Sequence, residues 1–325
     1  MFRQNAEKTM RNPKISGKPK NGLSQGKRND LICYIAFMVW PVLQFTIFYI
    51  AVNVNSFLLA FQKIDVTTKP ATVTWGLWNF EAVFKLIATD QMKIRIWASV
   101  KSFLIMHCVS VPLGLFFSYY IYKKMFGAGA FRVLLFTPSI LSAVTTAILF
   151  FQFADRALPK MLADIFKVED AVGLFSGTDK GKYAAVMFYN LWISFGTSVL
   201  MYSNKMISIS PEISEAAKLD GASGIKEFWY VTLPLTYPTL SVFLITGVAA
   251  MFTNQYNVFS FYGWSEGAPI NVQSIGFYLY LKAQGAASKA EYPELAAFGL
   301  ILTAVAVPMT LLVRWLLEKF GPSED

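Results

Sequence analysis

Few side chains in this sequence could support acid–base, nucleophilic or metal chemistry. His107 is the only histidine, Cys33 and Cys108 are the only cysteines, and all three lie at or inside long apolar runs. A single histidine without a neighbouring carboxylate leaves almost nothing for general acid–base catalysis, and two isolated cysteines indicate neither a disulfide framework nor a metal site. His107 has two open interpretations, a hydrogen-bonded packing residue, which is the commoner case, or a functional group inside a membrane. We therefore predict no catalytic residue and no metal site.

The sequence also lacks a glycine-rich loop of the kind that holds nucleotide phosphates. Such a loop reads G-x-x-x-x-G-K-[ST], and its backbone amides and lysine bind the phosphates. Every Gly-Lys pair in this chain is followed by Pro, Arg or Tyr (Gly17-Lys18, Gly26-Lys27, Gly181-Lys182). We therefore expect no cofactor on this chain, and any ATP and Mg²⁺ must bind a different one.

Long uncharged runs dominate the composition. The 325 residues are 55% hydrophobic, 16% aromatic and only 15% charged, whereas soluble domains carry roughly 25% charged residues. A helix needs about 20 apolar residues to cross a hydrocarbon layer of roughly 30 Å, and transmembrane β-strands would be shorter and strictly alternating. The runs lie at 31–62, 102–122, 133–154, 183–204, 232–265 and 295–313. The pattern predicts an all-α polytopic membrane protein with six transmembrane helices.

The net charge of +9 is distributed unevenly along the chain. Basic residues are concentrated in residues 1–30, in the connection after the second run and in the polar stretch after the fourth run. Because cytoplasmic loops are enriched in Lys and Arg, both termini and that polar stretch are predicted to be cytoplasmic. The charge thus indicates topology, and no nucleic-acid partner is expected. Residues 1–30 lack apolar periodicity and are predicted to be a disordered basic tail that anionic lipid could attract.

The polar stretch after the fourth run comprises residues 210–238. Ser210 can cap a helix and Pro211 suits a first turn, so a helix is expected to begin there. Gly221 is expected to end this helix, which carries one apolar face (Ile213, Ala216, Ala217). A second short helix with a similar face (Ile225, Phe228, Trp229) is expected to stop at Pro234. The prediction is a helix–turn–helix too short to cross a bilayer.

Residues 215–238 also carry a recognisable motif. Glu215-Ala216-Ala217 is followed at fixed spacing by Gly221-Ala222, then by Phe228, Leu233-Pro234 and Pro238. This arrangement resembles the EAA coupling loop of membrane permease subunits in binding-protein-dependent ABC importers, in particular the maltose/glycerol-phosphate class, which carries sugars. The resemblance covers about residues 30–318 and depends mainly on residues 210–238.

The resemblance implies a type I ABC importer permease fold over residues 31–320, in a bacterial plasma membrane. It implies that the coupling loop docks on a separate ATPase subunit through Glu215, Ala216, Ala217, Asp220 and Gly221. The implied partners are a second, similar permease, two ATP-binding subunits, an extracellular solute-binding protein and membrane lipid. The implied function is passage of a mono- or oligosaccharide, with ATP hydrolysed on another subunit and no enzyme activity on this one.

The fifth run is the most polar, and its polar residues are grouped. Asn254, Gln255, Tyr256 and Asn257 fall within a span predicted near residues 237–262. Amides exchange hydrogen bonds with sugar hydroxyls in both directions, and aromatic rings cover the apolar face of a sugar ring. These four residues are candidates for the substrate path, and hydrogen bonding between helices is the open alternative for each. Since no basic residue lies inside the runs, a neutral, hydroxyl-rich solute is favoured.

Two other functions remain open at the level of the sequence. The chain could be an ABC permease for a non-sugar solute, or a secondary carrier that works alone. No run contains Asp or Glu, which argues against the carboxylate relay that is common in proton-coupled carriers. A membrane enzyme is disfavoured because the sequence offers no group of catalytic residues.

The external connection at 155–182 carries apolar residues at helical spacing (Leu158, Met161, Leu162, Ile165, Phe166). The spacing predicts a short amphipathic helix on the outer surface. This helix could cover the translocation path, receive an extracellular binding protein, or simply pack on the bundle.

Overall fold

A computed structural model of the chain describes residues 25–66, 72–167, 171–264 and 267–322. The chain divides into two units, Met1–Ser56 and Phe57–Asp325. The predicted disordered tail lies outside the described residues as far as residue 24. Helix α1 (Gln25–Gln44) includes residues 25–30, the last part of the predicted tail.

The first predicted span is a single long helix. Helix α1 continues through a π-helical segment, Phe45–Ala51, into α2 (Val52–Leu59). Together they provide 31 apolar-rich residues, Asn29–Leu59, enough to cross a bilayer. Large apolar side chains such as Phe37 and Trp40 are exposed on this helix, as expected where lipid replaces water as the solvent.

The second unit is mainly helical, with one short antiparallel β-hairpin in which Gln62 lies opposite Trp75. Its elements in chain order are β1 (Gln62–Asp65), β2 (Thr72–Trp75), α3 (Trp78–Ile87), α4 (Asp90–Tyr122), α5 (Ala128–Ile140), α6 (Ala143–Gln152), α7 (Leu158–Phe166), α8 (Asp179–Ile207), α9 (Pro211–Leu219), α10 (Ile225–Glu227), α11 (Leu233–Ala250), α12 (Val258–Tyr262), α13 (Ile275–Gly285) and α14 (Tyr292–Phe320). Over the described residues of both units, five helices are long and apolar enough to span a membrane, and a bent helix pair raises the number to six. The multi-pass prediction is confirmed.

Helices α4 and α8 form the centre of the second unit, held by small hydroxyl side chains. On α4, Ser118 donates a hydrogen bond to the carbonyl oxygen of Val199 on α8, at 2.9 Å. Nearer the other end, the Ser102 hydroxyl and the Tyr183 hydroxyl lie 3.1 Å apart and share a hydrogen bond. Because lipid tails are as apolar as leucine, close packing of small residues and such hydrogen bonds must hold membrane helices together.

The third predicted span is not one straight helix. Helix α5 and the segment that begins at Ala143 meet at an angle of 104°. Leu141 is extended with ψ 154°, and Ser142 after it has ψ 129°. Two consecutive non-helical residues therefore end α5 inside a run that the hydropathy pattern represented as continuous.

The segment after the bend confirms the amphipathic helix of the 155–182 connection. Helix α6 runs through a π-helical segment, Phe153–Ala157, into α7, on which Ile165 and Phe166 are exposed. At the junction, the Asp155 carboxylate accepts backbone hydrogen bonds from Phe175 at 2.9 Å and Ser176 at 2.7 Å. This carboxylate fixes the connection to α8.

The fifth predicted span needs two corrections. Pro234 does not stop the second short helix, because α10 continues through a π-helical segment, Phe228–Thr232, into α11. The Leu233 N–H bonds five residues back to the Phe228 carbonyl, and Pro234 then occupies a first-turn position, where a proline needs no N–H. At the other end α11 stops at Ala250, so the predicted extension to residue 262 is wrong.

Gly196 lets α5 cross α8 at very short range. A Cβ atom at position 196 would lie 2.1 Å from the carbonyl oxygen of Leu135. Gly196→Ala is therefore expected to push the two helices apart and to destabilise the protein by about 1–3 kcal/mol, the usual range for overpacking. Thermal unfolding of the detergent-solubilised protein would measure the effect. Gly129→Ala on α5, where a Cβ meets nothing within 4 Å, is the matched control, and equal melting temperatures for both variants would contradict this packing.

Candidate coupling and translocation sites

Residues 210–238, called the coupling stretch for their predicted role, begin with helix α9, and this helix ends in a complete Schellman turn. The Gly221 N–H donates to Lys218 O at 3.1 Å and the Ala222 N–H to Ala217 O at 2.8 Å. Gly221 has φ +80°, a left-handed conformation that glycine adopts without steric cost. The predicted role of Gly221 in ending the helix is confirmed. Ser210 occupies the N-cap position, but its side chain accepts no capping hydrogen bond.

The residues of the predicted docking motif are divided between two faces of α9. Ala217 is buried with Ser214, whereas Glu215, Ala216, Asp220 and Gly221 are exposed. Only Ala217 of the predicted apolar face is buried against the rest of the chain, because Ile213 and Ala216 are exposed. Leu219, at the tip, is 90% exposed. The outward surface combines carboxylates, small residues and two large apolar side chains, those of Ile213 and Leu219.

A buried ion pair fastens α9 to the end of α4. The Glu227 side chain is only 2% exposed; its carboxylate accepts a hydrogen bond from the Ser214 hydroxyl at 2.6 Å and forms a salt bridge with the Lys123 ammonium. Lys123 directly follows α4, and Ser214 lies on α9. One carboxylate thus connects the coupling helix, the start of the fifth span and the end of the second span.

Aromatic packing supports the same junction. The buried Phe228 ring stacks on Phe116 at 5.2 Å between ring centres and meets Tyr119 edge-on at 5.1 Å. The Tyr119 hydroxyl donates to the carbonyl oxygen of Gly224, at 2.8 Å, in the turn between α9 and α10. Residues 210–238 are therefore attached to α4 through polar and apolar contacts together.

The sequence motif did not reveal this attachment. Glu227, Lys123 and Ser214 belong to none of the predicted site residues, and the lysine and the glutamate are separated by 104 positions. The one local signal was an acidic residue directly before Phe228, which was expected on the apolar face. No spacing rule connects that signal to a lysine on another helix.

The four candidate residues of the substrate path lie in a non-helical break between α11 and α12, and not inside the fifth span. Tyr256 and Asn257 are both left-handed, with φ 50° and 53°. Asn190 on α8 holds this conformation, since its amide nitrogen donates to Tyr256 O at 2.7 Å and its amide oxygen accepts from the Asn257 amide at 2.8 Å. The break is thus clamped against α8.

The clamp shows which polar groups of the break are already used. Tyr256 is buried, and Asn257 is engaged with Asn190, so both stabilise the local structure. Asn254 is exposed, and its side-chain oxygen accepts a hydrogen bond from the Tyr256 N–H at 2.8 Å. Within the described part of the chain, the buried side-chain oxygen of Gln255 has no hydrogen-bond partner. Asn254 and Gln255 therefore offer the polar groups still available to a solute.

His107 lines a separate cavity of about 520 Å³ between α4, α5, α8 and α11, together with several hydroxyl side chains (Ser110, Ser139, Ser194, Thr197, Ser198). Its Nδ1 lies 2.9 Å from the carbonyl oxygen of Phe103 and must donate to it, so the neutral ring keeps an acceptor at Nε2. Ser194 donates to Asn190 O, at 2.8 Å, and its oxygen remains an acceptor. The cavity wall is rich in acceptors for hydroxyl donors, and both interpretations of His107 remain compatible with it.

The two predicted sites are not brought together. Asn190 holds the break, whereas Met206, sixteen residues later on α8, belongs to the buried cluster around Phe228. Sixteen residues of α-helix correspond to about 24 Å. The predicted coupling residues and the predicted substrate-path residues therefore lie near opposite halves of α8.

Comparison with known proteins identifies the family of this chain. A profile of the family described as binding-protein-dependent transport system inner membrane component matches residues 110–323. The multiple sugar-binding transport system permease protein MsmF of Streptococcus mutans is 26% identical over 297 residues, covering 89% of this chain and 93% of the relative. The arabinooligosaccharides transport system permease protein AraP of Halalkalibacterium halodurans is 25% identical over 294 residues, 87% of each chain.

Solved structures agree at the level of the fold. A chain of a bacterial ABC transporter involved in the import of the acidic polysaccharide alginate superposes with a TM-score of 0.72 at 20% identity, covering 91% of this chain and 98% of the other. The same transporter in complex with a pentasaccharide-bound periplasmic protein gives a TM-score of 0.73. The family match covers the bent third span, the coupling stretch and the polar break. This chain belongs to the family of inner membrane components of binding-protein-dependent transport systems.

Proposed function

We propose that this chain is the membrane-spanning permease subunit of an ATP-driven importer, and that residues 210–238 dock on a separate ATPase subunit. The observation that carries the proposal is that helix α9 is anchored on one surface and exposed on the other. Its outer surface exposes Glu215, Ala216 and Leu219, while Glu227 anchors its inner surface to α4. A helix held rigidly on one side and exposed on the other is suited to receive a partner and to transmit its movement.

The mechanism follows from that attachment. Closure of two ATPase subunits would move α9 as a rigid body, and the Lys123–Glu227 pair would carry the movement into α4 and α11. A second, similar permease would form the other half of the path, and an extracellular binding protein would deliver the solute. The coupling stretch and both termini would then face the cytoplasm of a bacterium, in agreement with the distribution of basic residues.

We propose a carbohydrate, a mono- or oligosaccharide, as the transported solute. The names of the two relatives support this, since both refer to sugar transport. The side chains agree with it, because Asn254 and Gln255 present amide groups and the His107 cavity presents hydroxyl and imidazole acceptors. Such groups match the alternating donors and acceptors of sugar hydroxyls.

Affinity purification from the native membrane, followed by mass spectrometry and uptake assays in vesicles, tests the proposal. We expect an ATP-binding subunit and a second permease to co-purify, and uptake to require ATP. Leu219→Glu places a charge at the exposed tip of α9 and should release the ATPase. Leu77→Glu, which alters an exposed leucine directly before α3, should retain it. A chain that purifies alone and moves solute without nucleotide would make it a secondary carrier and refute the proposal.

A further inference from the structure

A pocket of about 640 Å³ lies at the end of α4 opposite the coupling stretch. It is formed where the first turns of α4 meet α13 and the loop before it, and its lining includes Gln91, Arg95, Trp264, Gln273, Tyr278 and Lys282. The helix from Asp90 to Tyr122 is about 50 Å long, so this pocket and Lys123 are on opposite sides of the membrane. None of the predicted site residues lies in it.

Arg95 is the most unusual group in the pocket. Its Nε and Nη2 both donate to the Gln273 side-chain oxygen, at 3.1 and 2.9 Å, and its guanidinium lies 5.1 Å from the centre of the Tyr278 ring. Of the five N–H donors of an arginine, two are therefore occupied. Among the described residues, no carboxylate forms a salt bridge with Arg95. A half-buried guanidinium with free donors and no counter-ion favours an anionic ligand.

The other pocket residues complement that charge. Lys282 provides a second cation at the rim, and Glu291 is the one acidic side chain in the lining; it accepts the Ala287 N–H at 3.2 Å. Trp264 is 60% exposed and presents an indole ring, and Gln91 adds an amide. Two cations beside an aromatic ring and amides form a surface for a ligand that carries a carboxylate on a hydroxyl-rich ring.

We propose that this pocket is an outer binding site for an acidic saccharide, with the carboxylate held by Arg95 and Lys282 and the sugar ring placed against Trp264. The site rests on the proposed transport function, which it narrows to solutes that include a sugar acid. The sequence favoured a neutral solute because the uncharged second run began at residue 102. The structure extends this helix back to Asp90 and thereby adds Arg95 to it.

A purely structural role for Arg95 is the competing explanation, since its contacts to Gln273 and Tyr278 also brace the loop before α13. Lys282 separates the two explanations. It is exposed, and within the described part of the chain it takes part in no hydrogen bond or ion pair, so its removal should leave the fold intact. A bracing role for Arg95 would make the charge at position 282 irrelevant to ligand binding.

Tryptophan fluorescence of the full-length protein in lipid nanodiscs, with the partners that co-purify, can test the proposal. The probes are glucuronate, glucose and acetate, and Trp264→Phe identifies the share of the signal from the pocket. We expect glucuronate to quench the fluorescence of Trp264 with a dissociation constant at least about tenfold lower than that of glucose or acetate. This factor is the one expected for hydrogen bonds to a charged group. Lys282→Gln and Arg95→Lys should each weaken glucuronate several-fold without changing the response to glucose, the arginine because a lysine cannot bind a carboxylate with a planar fork.

Equal affinity for glucuronate and glucose would overturn the proposal, and so would equal affinity for acetate, no quenching of Trp264 by glucuronate, or unchanged glucuronate binding in both charge variants. Failure of the transport function would appear separately. In that case glucuronate would still bind as expected, but vesicles would take up no saccharide with ATP. If ATP-driven uptake of neutral sugars occurs while glucuronate does not bind, only the acidic site is refuted.

Discussion

Glu227→Ala is expected to abolish ATP-driven uptake and to loosen α9 from the bundle. The substitution leaves the Lys123 ammonium and the buried Ser214 hydroxyl without their common partner. Breaking a buried ion pair costs about 3 kcal/mol at the lower end of its range, and the lower end applies because Lys123 can still reach water. Hydrogen exchange of α9, together with uptake in vesicles, would measure the two effects.

The chain contains a matched control for this experiment. Glu81 and Lys85 form a salt bridge of the same type at 2.6 Å, but their side chains are 66% and 74% exposed. Exposed pairs contribute about 0–1 kcal/mol, so Glu81→Ala should leave stability and uptake nearly unchanged. Glu227→Gln keeps an acceptor for Ser214 but removes the charge, and an intermediate loss is expected. Wild-type uptake and wild-type exchange of α9 in Glu227→Ala would refute the idea that this carboxylate transmits the movement.

Gly221→Val is expected to lower uptake at least about tenfold while the spans stay folded. Position 221 has φ +80°, and a Cβ placed there would meet nothing within 4 Å. The cost is therefore conformational and not steric crowding by neighbours, roughly 1–2 kcal/mol for a left-handed residue and more for a β-branched one. Relaxing the strain would redirect the tip of α9 away from its partner, and a change of about 1.4 kcal/mol in docking is tenfold in affinity.

Gly221→Asn is the control for that prediction. Asparagine visits the left-handed region far more readily than valine, so the turn should survive and uptake should stay within about threefold of wild type. Co-purification of the ATPase would show whether docking is the step affected. If the valine and asparagine variants transport equally well, the Schellman turn does not position the docking surface.

Gly221→Val and Glu227→Ala affect different steps in the transmission of movement from the ATPase to the spans. Gly221 sets the direction of the outward surface, whereas Glu227 connects the inward surface to α4 and α11. The Gly221→Val variant, whose docking surface is misdirected, should lose the ATPase itself. The Glu227→Ala variant, in which α9 is detached from α4, should retain the ATPase, hydrolyse ATP and fail to move solute. Measuring ATPase association and uptake in both variants would separate these outcomes.

The sequence by itself determined which segments are apolar enough to span a membrane and which stretch carries the family motif. Hydropathy located the membrane-crossing segments because each span requires about 20 apolar residues in a row. This requirement depends only on residues that are adjacent in the sequence. The Gly221 turn was equally local, since the left-handed conformation selects glycine at a single position. The family motif in residues 210–238 depends on spacing within one segment and was visible for the same reason.

Local patterns failed where backbone breaks lie inside apolar sequence. The bend after Ile140 lies inside an uncharged run, and α11 ends at Ala250 although its uncharged run continues to residue 265. The left-handed pair Tyr256–Asn257 exists because Asn190 of another helix binds it. An apolar run predicts that a segment prefers lipid, but partners elsewhere in the fold decide whether the helix continues.

Only the tertiary structure decided the contacts between distant positions. The Lys123–Glu227–Ser214 group and the Arg95 pocket both join residues from separate helices, and no periodicity within one helix records such a pairing. A buried charge requires a partner, but the sequence does not state which of the 29 basic residues supplies it. The sequence therefore determined the apolar segments and the family motif, whereas packing determined where helices break and which charges meet.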